Sequence, residues 1–171
     1  VQILRKLGPQ SAALERAHGV IDRQVSHMAR LIDDLLDVSR ISRGKLQIQK
    51  QPCDLGELAQ QTAEDYRANL EANGLVVTVT KPSEPLWVDG DPTRLAQMIG
   101  NLLNNAGRFT ERGGHVAVSV THDRAGHTTT VSVADTGVGI DGNLLGRLFD
   151  PFSQADQGLA RSKGGLGLGL A

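Results

Sequence analysis

The sequence predicts an α+β domain carried on a long helical stalk, and three observations predict it. Residues 11–43 repeat apolar side chains at alternating steps of four and three, a helical seam. Residues 45–135 then switch between strand-like alternation and two further helical stretches. From Asp135 onward glycine punctuates the chain, and 9 of its 20 glycines fall between Gly137 and Gly169. The expected division is a helical segment over 1–44 and an α+β domain over 45–171. A chain of 171 residues is long enough for one ordinary domain plus such an appendage.

Each element has a local reason. Leu14, His18, Ile21, Val25, Met28, Ile32 and Leu35 form the seam, and Leu31, Leu36 and Val38 widen it. About 30 residues at 1.5 Å each make a helix roughly 45 Å long, which needs a second helix or a partner chain against its apolar face. Gly8-Pro9 breaks what precedes the helix, and Gly44 ends it. "KLQIQKQ" alternates as a strand that Pro52 closes. Asp54 and Glu57 form a capping box opening a helix that Gly74 stops. "LVVTVT" and "LWVDG" are strands on either side of the turn "KPSEP". Asp91 and Pro92 read as N-cap and first residue of the next helix. "HVAVSVTH" and "HTTTVSVAD" read as an antiparallel hairpin. Beyond it, "GNLLGRLFD" is the one short helical candidate.

Composition narrows the partners. The net charge is -1 with 22% charged residues, which signals neither a nucleic-acid nor a membrane-surface partner. Cys53 is the only cysteine, so a reduced, cytoplasmic setting is expected. No apolar run approaches membrane-span length. Aromatics make up 3%, so the core must be aliphatic.

The chemistry concentrates in three places. "NLLNNAGRFT" puts three asparagines inside a helix, where Asn is a mediocre former. Asn101 and Asn105 project about 40° apart, with Arg108 beside them and Asn104 turned off toward the surface. Leu95, Met98, Leu102 and Phe109 make the adjoining apolar side. A polar outer face would explain such asparagines. Neutral amide oxygens also suit magnesium beside a polyphosphate, because they bind a hard cation without adding negative charge. In "VADTGVGIDG", Asp135 ends a strand, and a carboxylate there can accept a hydrogen bond from an exocyclic amine such as that of adenine. Gly137-x-Gly139-x-x-Gly142 matches a dinucleotide fingerprint by letter, but no helix-then-strand unit or later acidic residue follows. The glycines of "SKGGLGLGLA" suit an anion-binding backbone concavity. Between the two clusters, "LFDPFSQAD" reads as a lid.

Taken in order, "DPTRLAQMIGNLLNNAGRFT", "VADTGVGI", "LFDPFSQAD" and "GGLGLGLA" resemble the N, G1, F and G2 boxes of sensor histidine kinases. Upstream, "RQVSHMARLIDDLLDVSRISRGKLQIQKQPCDL" is similar to the second dimerisation helix and the linker into the catalytic domain. The resemblance covers nearly the whole chain. It implies a two-layer α/β sandwich with a mixed sheet and helices on one face, of the type shared with gyrase, heat-shock-90 and mismatch-repair ATPases. It implies ATP and Mg2+ as ligands, with Asn105 on the metal and Asn101 supporting it. Arg108, standing where the family often has Lys, would contact phosphate, and these three would be the catalytic set. Asp135 would read the adenine amine, and Gly137 and Gly139 would line the base pocket. Gly165, Gly167 and Gly169 would meet the phosphates. Phe109, Ile140, Phe149, Phe152, Arg161, Lys163, Leu166 and Leu168 complete the implied nucleotide site.

The hydrolytic relatives place a water-activating glutamate one turn before the metal-binding Asn, where this chain has Asn101. That favours transfer to a protein side chain over hydrolysis. The implied partners are a second copy through the stalk and a response-regulator receiver domain. The family's acceptor box, a histidine followed by an acidic residue, is not found. His18 and His27 precede Gly19 and Met28, and both read as structural. Both ends therefore read as truncated. The readings in contention are a histidine kinase core, a non-catalytic nucleotide-binding or dimerisation module, and a related ATPase.

Overall fold

The computed structural model describes residues 17–21, 24–25, 28–29, 32, 36, 43–44 and 47–150. The chain separates into two compact units, Val1–Leu46 and Gln47–Ala171. In the first, residues 17–21, 24–25, 28–29, 32 and 36 are helical. The seam residues Ile21, Val25, Met28 and Ile32, with Leu36 that widens the seam, are 45–60% exposed, whereas His18 is 5% exposed. Leu14, His27, Leu31, Leu35 and Val38 lie outside the described residues.

The second unit runs β1 (Gln51–Asp54), α1 (Leu55–Ala72), β2 (Val76–Thr80), β3 (Trp87–Gly90), α2 (Pro92–Phe109), β4 (His115–Asp123), β5 (Thr128–Asp135) and a single turn, α3 (Gly142–Leu145). Strands β2, β4 and β5 form one sheet in that order, β2 parallel to β4 and β4 antiparallel to β5. The sheet is therefore mixed. Strands β1 and β3 pair antiparallel in a separate ribbon.

Alternation sorts the sheet's two faces. Val77, Val116, Val118 and Val120 point inward and meet Ala59, Ala63 and Leu70 of α1 and Ile99, Leu103 and Ala106 of α2. Thr78, Thr80, Thr130 and Ser132 face solvent on the other side. Both helices thus cover one face, as β-branched residues at period two dictate. The helices approach closely where α2 has glycine. A Cβ on Gly100 would lie 2.6 Å from the Tyr66 hydroxyl oxygen of α1. Arg67 of α1 also donates to the Val77 carbonyl (2.8 Å) while pairing with Glu64 and Glu71, which ties the helix to β2.

Three local expectations change. Residues 47–50 are irregular, and the strand expected over 45–51 begins at Gln51 and contains Pro52. A proline is tolerated there because β1 has a single neighbour among the described residues, so an N–H can be missing from its other edge. Asp54 does cap α1, accepting from the Gly56 and Glu57 N–H groups at 3.0 and 3.4 Å. Glu57 does not reach back to complete a capping box; it lies 3.4 Å from Lys81. Asp54 also accepts from the Leu86 N–H at 3.1 Å, so one carboxylate joins β1, α1 and the approach to β3. The third change is in "GNLLGRLFD", where helix is limited to α3 and turns follow.

Candidate functional site

Helix α2 begins as its sequence requires. Asp91 Oδ1 accepts from the Thr93 and Arg94 N–H groups at 3.1 and 3.3 Å, and Pro92 occupies the first turn, where its missing N–H costs nothing. Burial then rotates the helix. Ile99, Leu103 and Ala106 face the core, so Met98, Leu102 and Phe109 are left 63%, 38% and 36% exposed. The apolar side expected from Leu95 to Phe109 therefore divides. Leu95 packs toward Gly90, and the other three remain open beside the asparagines. Asn101 and Asn105 are half-buried, one turn apart on this open side.

Arg108 lies toward α1. Together with Asn104, Gly107, Tyr66, Asn69, Leu70 and Asn73 it lines a groove of about 170 Å³ that neither Asn101 nor Asn105 lines. Its guanidinium stands 5.0 Å from the centroid of the Phe109 ring. Burial disfavours its charge and holds its pKa below the ordinary arginine value, although arginine remains protonated in proteins. Asn104, expected on the surface, is half-buried in this groove. The reason is its angle on the helix, which faces the gap between α1 and α2.

The loop after β5 is attached to the other end of α2. The Val138 N–H donates to the Phe109 carbonyl at 3.2 Å. The Gly137 N–H donates to Asp135 Oδ1 at 2.8 Å, which leaves the second carboxylate oxygen of an exposed side chain for another donor. The Thr136 hydroxyl accepts from the His115 N–H at 2.9 Å, while its own N–H donates back to the His115 carbonyl at 3.1 Å. These contacts carry the "DTG" order: a carboxylate for the turn, a hydroxyl for β4, and no side chain at Gly137. A Cβ on Gly137 would sit 2.6 Å from the Phe109 carbonyl oxygen. Gly139 holds a positive φ of 72°. Val138, Ile140 and Phe149 are 69%, 56% and 72% exposed.

The structure thus joins Asn101, Asn105 and Phe109 on one helix to Asp135, Gly137, Gly139 and Ile140 on the loop tethered to it. Phe152, Arg161, Lys163, Gly165, Leu166, Gly167, Leu168 and Gly169 lie outside the described residues. Thr136 escaped the sequence reading, which explained its neighbours but not the hydroxyl; its position after a strand-ending Asp was the available signal. No cluster of metal-binding side chains of the His, Cys, Asp or Glu type occurs among the described residues. A carboxamide ligand falls outside that chemistry.

Residues 90–171 match the family described as histidine kinase-, DNA gyrase B- and HSP90-like ATPases. Residues 90–171 carry an ATPase domain of this family. The chain is 37% identical over 155 residues to the sensor protein GacS of Pseudomonas syringae, a match covering 89% of this chain and 17% of that protein. It is 39% identical over 147 residues to the circadian input-output histidine kinase CikA of Synechococcus elongatus, covering 85% of this chain and 19% of that one. Among solved structures, full-length ShkA in complex with AMPPNP superposes with a TM-score of 0.74 at 27% identity, over 95% of this chain and 33% of that chain. The chain therefore spans under a fifth of the length of GacS and CikA. No helix among the described residues is long and apolar enough to cross a membrane.

Proposed function

We propose that this chain belongs to the core of an ATP-dependent protein histidine kinase. In this reading residues 45–171 bind the nucleotide and residues 1–44 are part of the dimerisation segment. The γ-phosphate passes to a histidine on a dimerisation domain and from there to a response-regulator aspartate, in the cytoplasm. The observation that carries the reading is the pairing of Asn101 and Asn105, on the open side of α2, with Asp135 on a loop fastened to the end of that helix.

The residues fit both ligands. Asp135 has one oxygen engaged by Gly137 and one available to an exocyclic amine. The absent side chain at Gly137 keeps the backbone clear of the base, and Val138 and Ile140 offer exposed apolar contact. Asn105 is the assigned magnesium ligand and Asn101 its support, since a hard cation takes neutral carboxamide oxygens. Bound magnesium would neutralise charge on the transferring phosphate. Arg108 is assigned to phosphate, although its groove-facing position requires its side chain to swing from the α1 side. The glycines and basic residues beyond 150 are assigned to the lid and the phosphates. With Asn101 in place of a glutamate, no carboxylate stands one turn before Asn105 to activate water, so an incoming imidazole is the better nucleophile.

The test supplies the chain with γ-labelled ATP, Mg2+ and a dimerisation domain bearing an acceptor histidine. Acid-labile, base-stable label on that domain, abolished by Asn105→Ala, is the expected result. Nucleotide binding without transfer would identify a non-catalytic module instead. Steady release of inorganic phosphate with no labelled histidine would identify an ATPase.

A further inference from the structure

Asp91 does more than cap a helix. One of its oxygens, Oδ1, accepts from the Thr93 and Arg94 N–H groups, while Oδ2 accepts from the Gln49 N–H at 3.0 Å across 42 residues of sequence. Gln49 lies in the irregular segment 47–50 that opens the second unit, directly after the boundary at Leu46. That segment is fastened to the start of α2 rather than to the three-stranded sheet. The same turn of α2 is seated on β3, where Leu95 packs against Gly90, whose Cβ would be 2.7 Å from Leu95 Cδ1. At the other end of α2, the Phe109 carbonyl holds Val138 and abuts Gly137. An 18-residue helix is therefore pinned at its first turn by the linker and at its last by the loop that presents Asp135.

We infer that Asp91 is a positioning residue that couples the linker to nucleotide binding, with α2 acting as a strut between them. A packed helix moves as a unit, so a linker held on Asp91 Oδ2 restrains Asn101, Asn105 and the Asp135 loop together. Release of Gln49 removes that restraint. Coupling is reciprocal, so nucleotide bound at the far end of the helix must in turn secure Gln49. This inference rests on the ATP-binding reading proposed above.

Two substitutions separate coupling from capping. Gln49→Pro removes the N–H and leaves the cap of α2 intact. Asp91→Asn keeps one oxygen for Thr93 and Arg94 but puts an NH2 group where Oδ2 received Gln49. Each should weaken binding of Mg-AMPPNP to the full chain by about fivefold, the lower end of ordinary coupling between sites. In the unaltered chain, saturating Mg-AMPPNP should slow hydrogen exchange both within α2 and at the Gln49 amide. Slowing within α2 without slowing at Gln49, or affinities for both variants within about twofold of the parent, overturns the coupling. No slowing in α2 at all means that the nucleotide does not bind, which overturns the ATP-binding reading and the coupling with it.

Discussion

Gly137 shows how much can depend on a side chain that is missing. Its N–H closes the turn on Asp135, and its α-carbon passes so near the Phe109 carbonyl that a methyl group would sit at 2.6 Å. The neighbour there is backbone rather than a flexible side-chain end, so α2 or the loop would have to move. Gly137→Ala should therefore destabilise the second unit by about 1–3 kcal/mol, in the range for inserting a methyl into a packed site. It should also weaken nucleotide affinity by moving Asp135. Thermal melts and AMPPNP titrations measure the two effects separately. An unshifted melting curve would mean that the loop yields freely. The candidacy of Asn101, Asn105 and Asp135 was legible from residue type and order in the sequence. The side to which Arg108 turns was not, because it depends on where α1 lies.

The two main helices each begin on an aspartate that also binds a distant N–H. For Asp54, burial pushes the carboxyl up, but the N–H groups of Leu86, Glu57 and Gly56 and the charge of Lys81 outweigh it and hold the pKa below the ordinary value. For Asp91, the Gln49 N–H is the largest influence and lowers the pKa; partial burial opposes it, and the Arg94 and Thr93 N–H groups and the Arg94 charge assist. A carboxylate whose folded pKa is depressed adds stability that is fully present above the unfolded value, about 3.9, and is lost as pH falls through the folded one. Melting temperature should accordingly hold steady above about pH 5 and drop below about pH 4. Glu64, lowered chiefly by its hydrogen bond from Arg67, contributes to the same drop. In the double variant Asp54→Asn, Asp91→Asn the acid drop should be shallower, since asparagine caps a helix without titrating. A drop of undiminished slope in calorimetric melts from pH 3 to 6 would assign acid sensitivity to other groups.

Across the whole chain, the two units present opposite problems. The second buries an aliphatic core of Leu103, Val116, Val118 and their neighbours between two helices and a mixed sheet. The first leaves Ile21, Val25, Met28, Ile32 and Leu36 about half exposed along one seam. A stripe of that kind is what a second copy of the helix would cover, as in the proposed homodimer. Val25→Lys with Ile32→Lys should therefore convert a dimer into a monomer in light scattering at micromolar concentration, with the melt of the second unit unchanged. A persistent dimer would place the interface elsewhere.

Short-range chemistry made much of this protein readable from its residues in order. Asp54 and Asp91 announced two helices, period-two valines announced the inner face of the sheet, and the motifs from Asn101 to Gly139 marked out the proposed nucleotide site. Those signals act over one helical turn or one strand, so they survive in a one-dimensional reading. What tertiary structure decided involves partners far apart in sequence: β2 beside β4 in parallel, Pro52 inside a ribbon strand, Arg108 in the groove of α1, and Gln49 on Asp91. A backbone N–H has no identity in sequence. Only the packing of α2 against the sheet determines which carboxylate it finds.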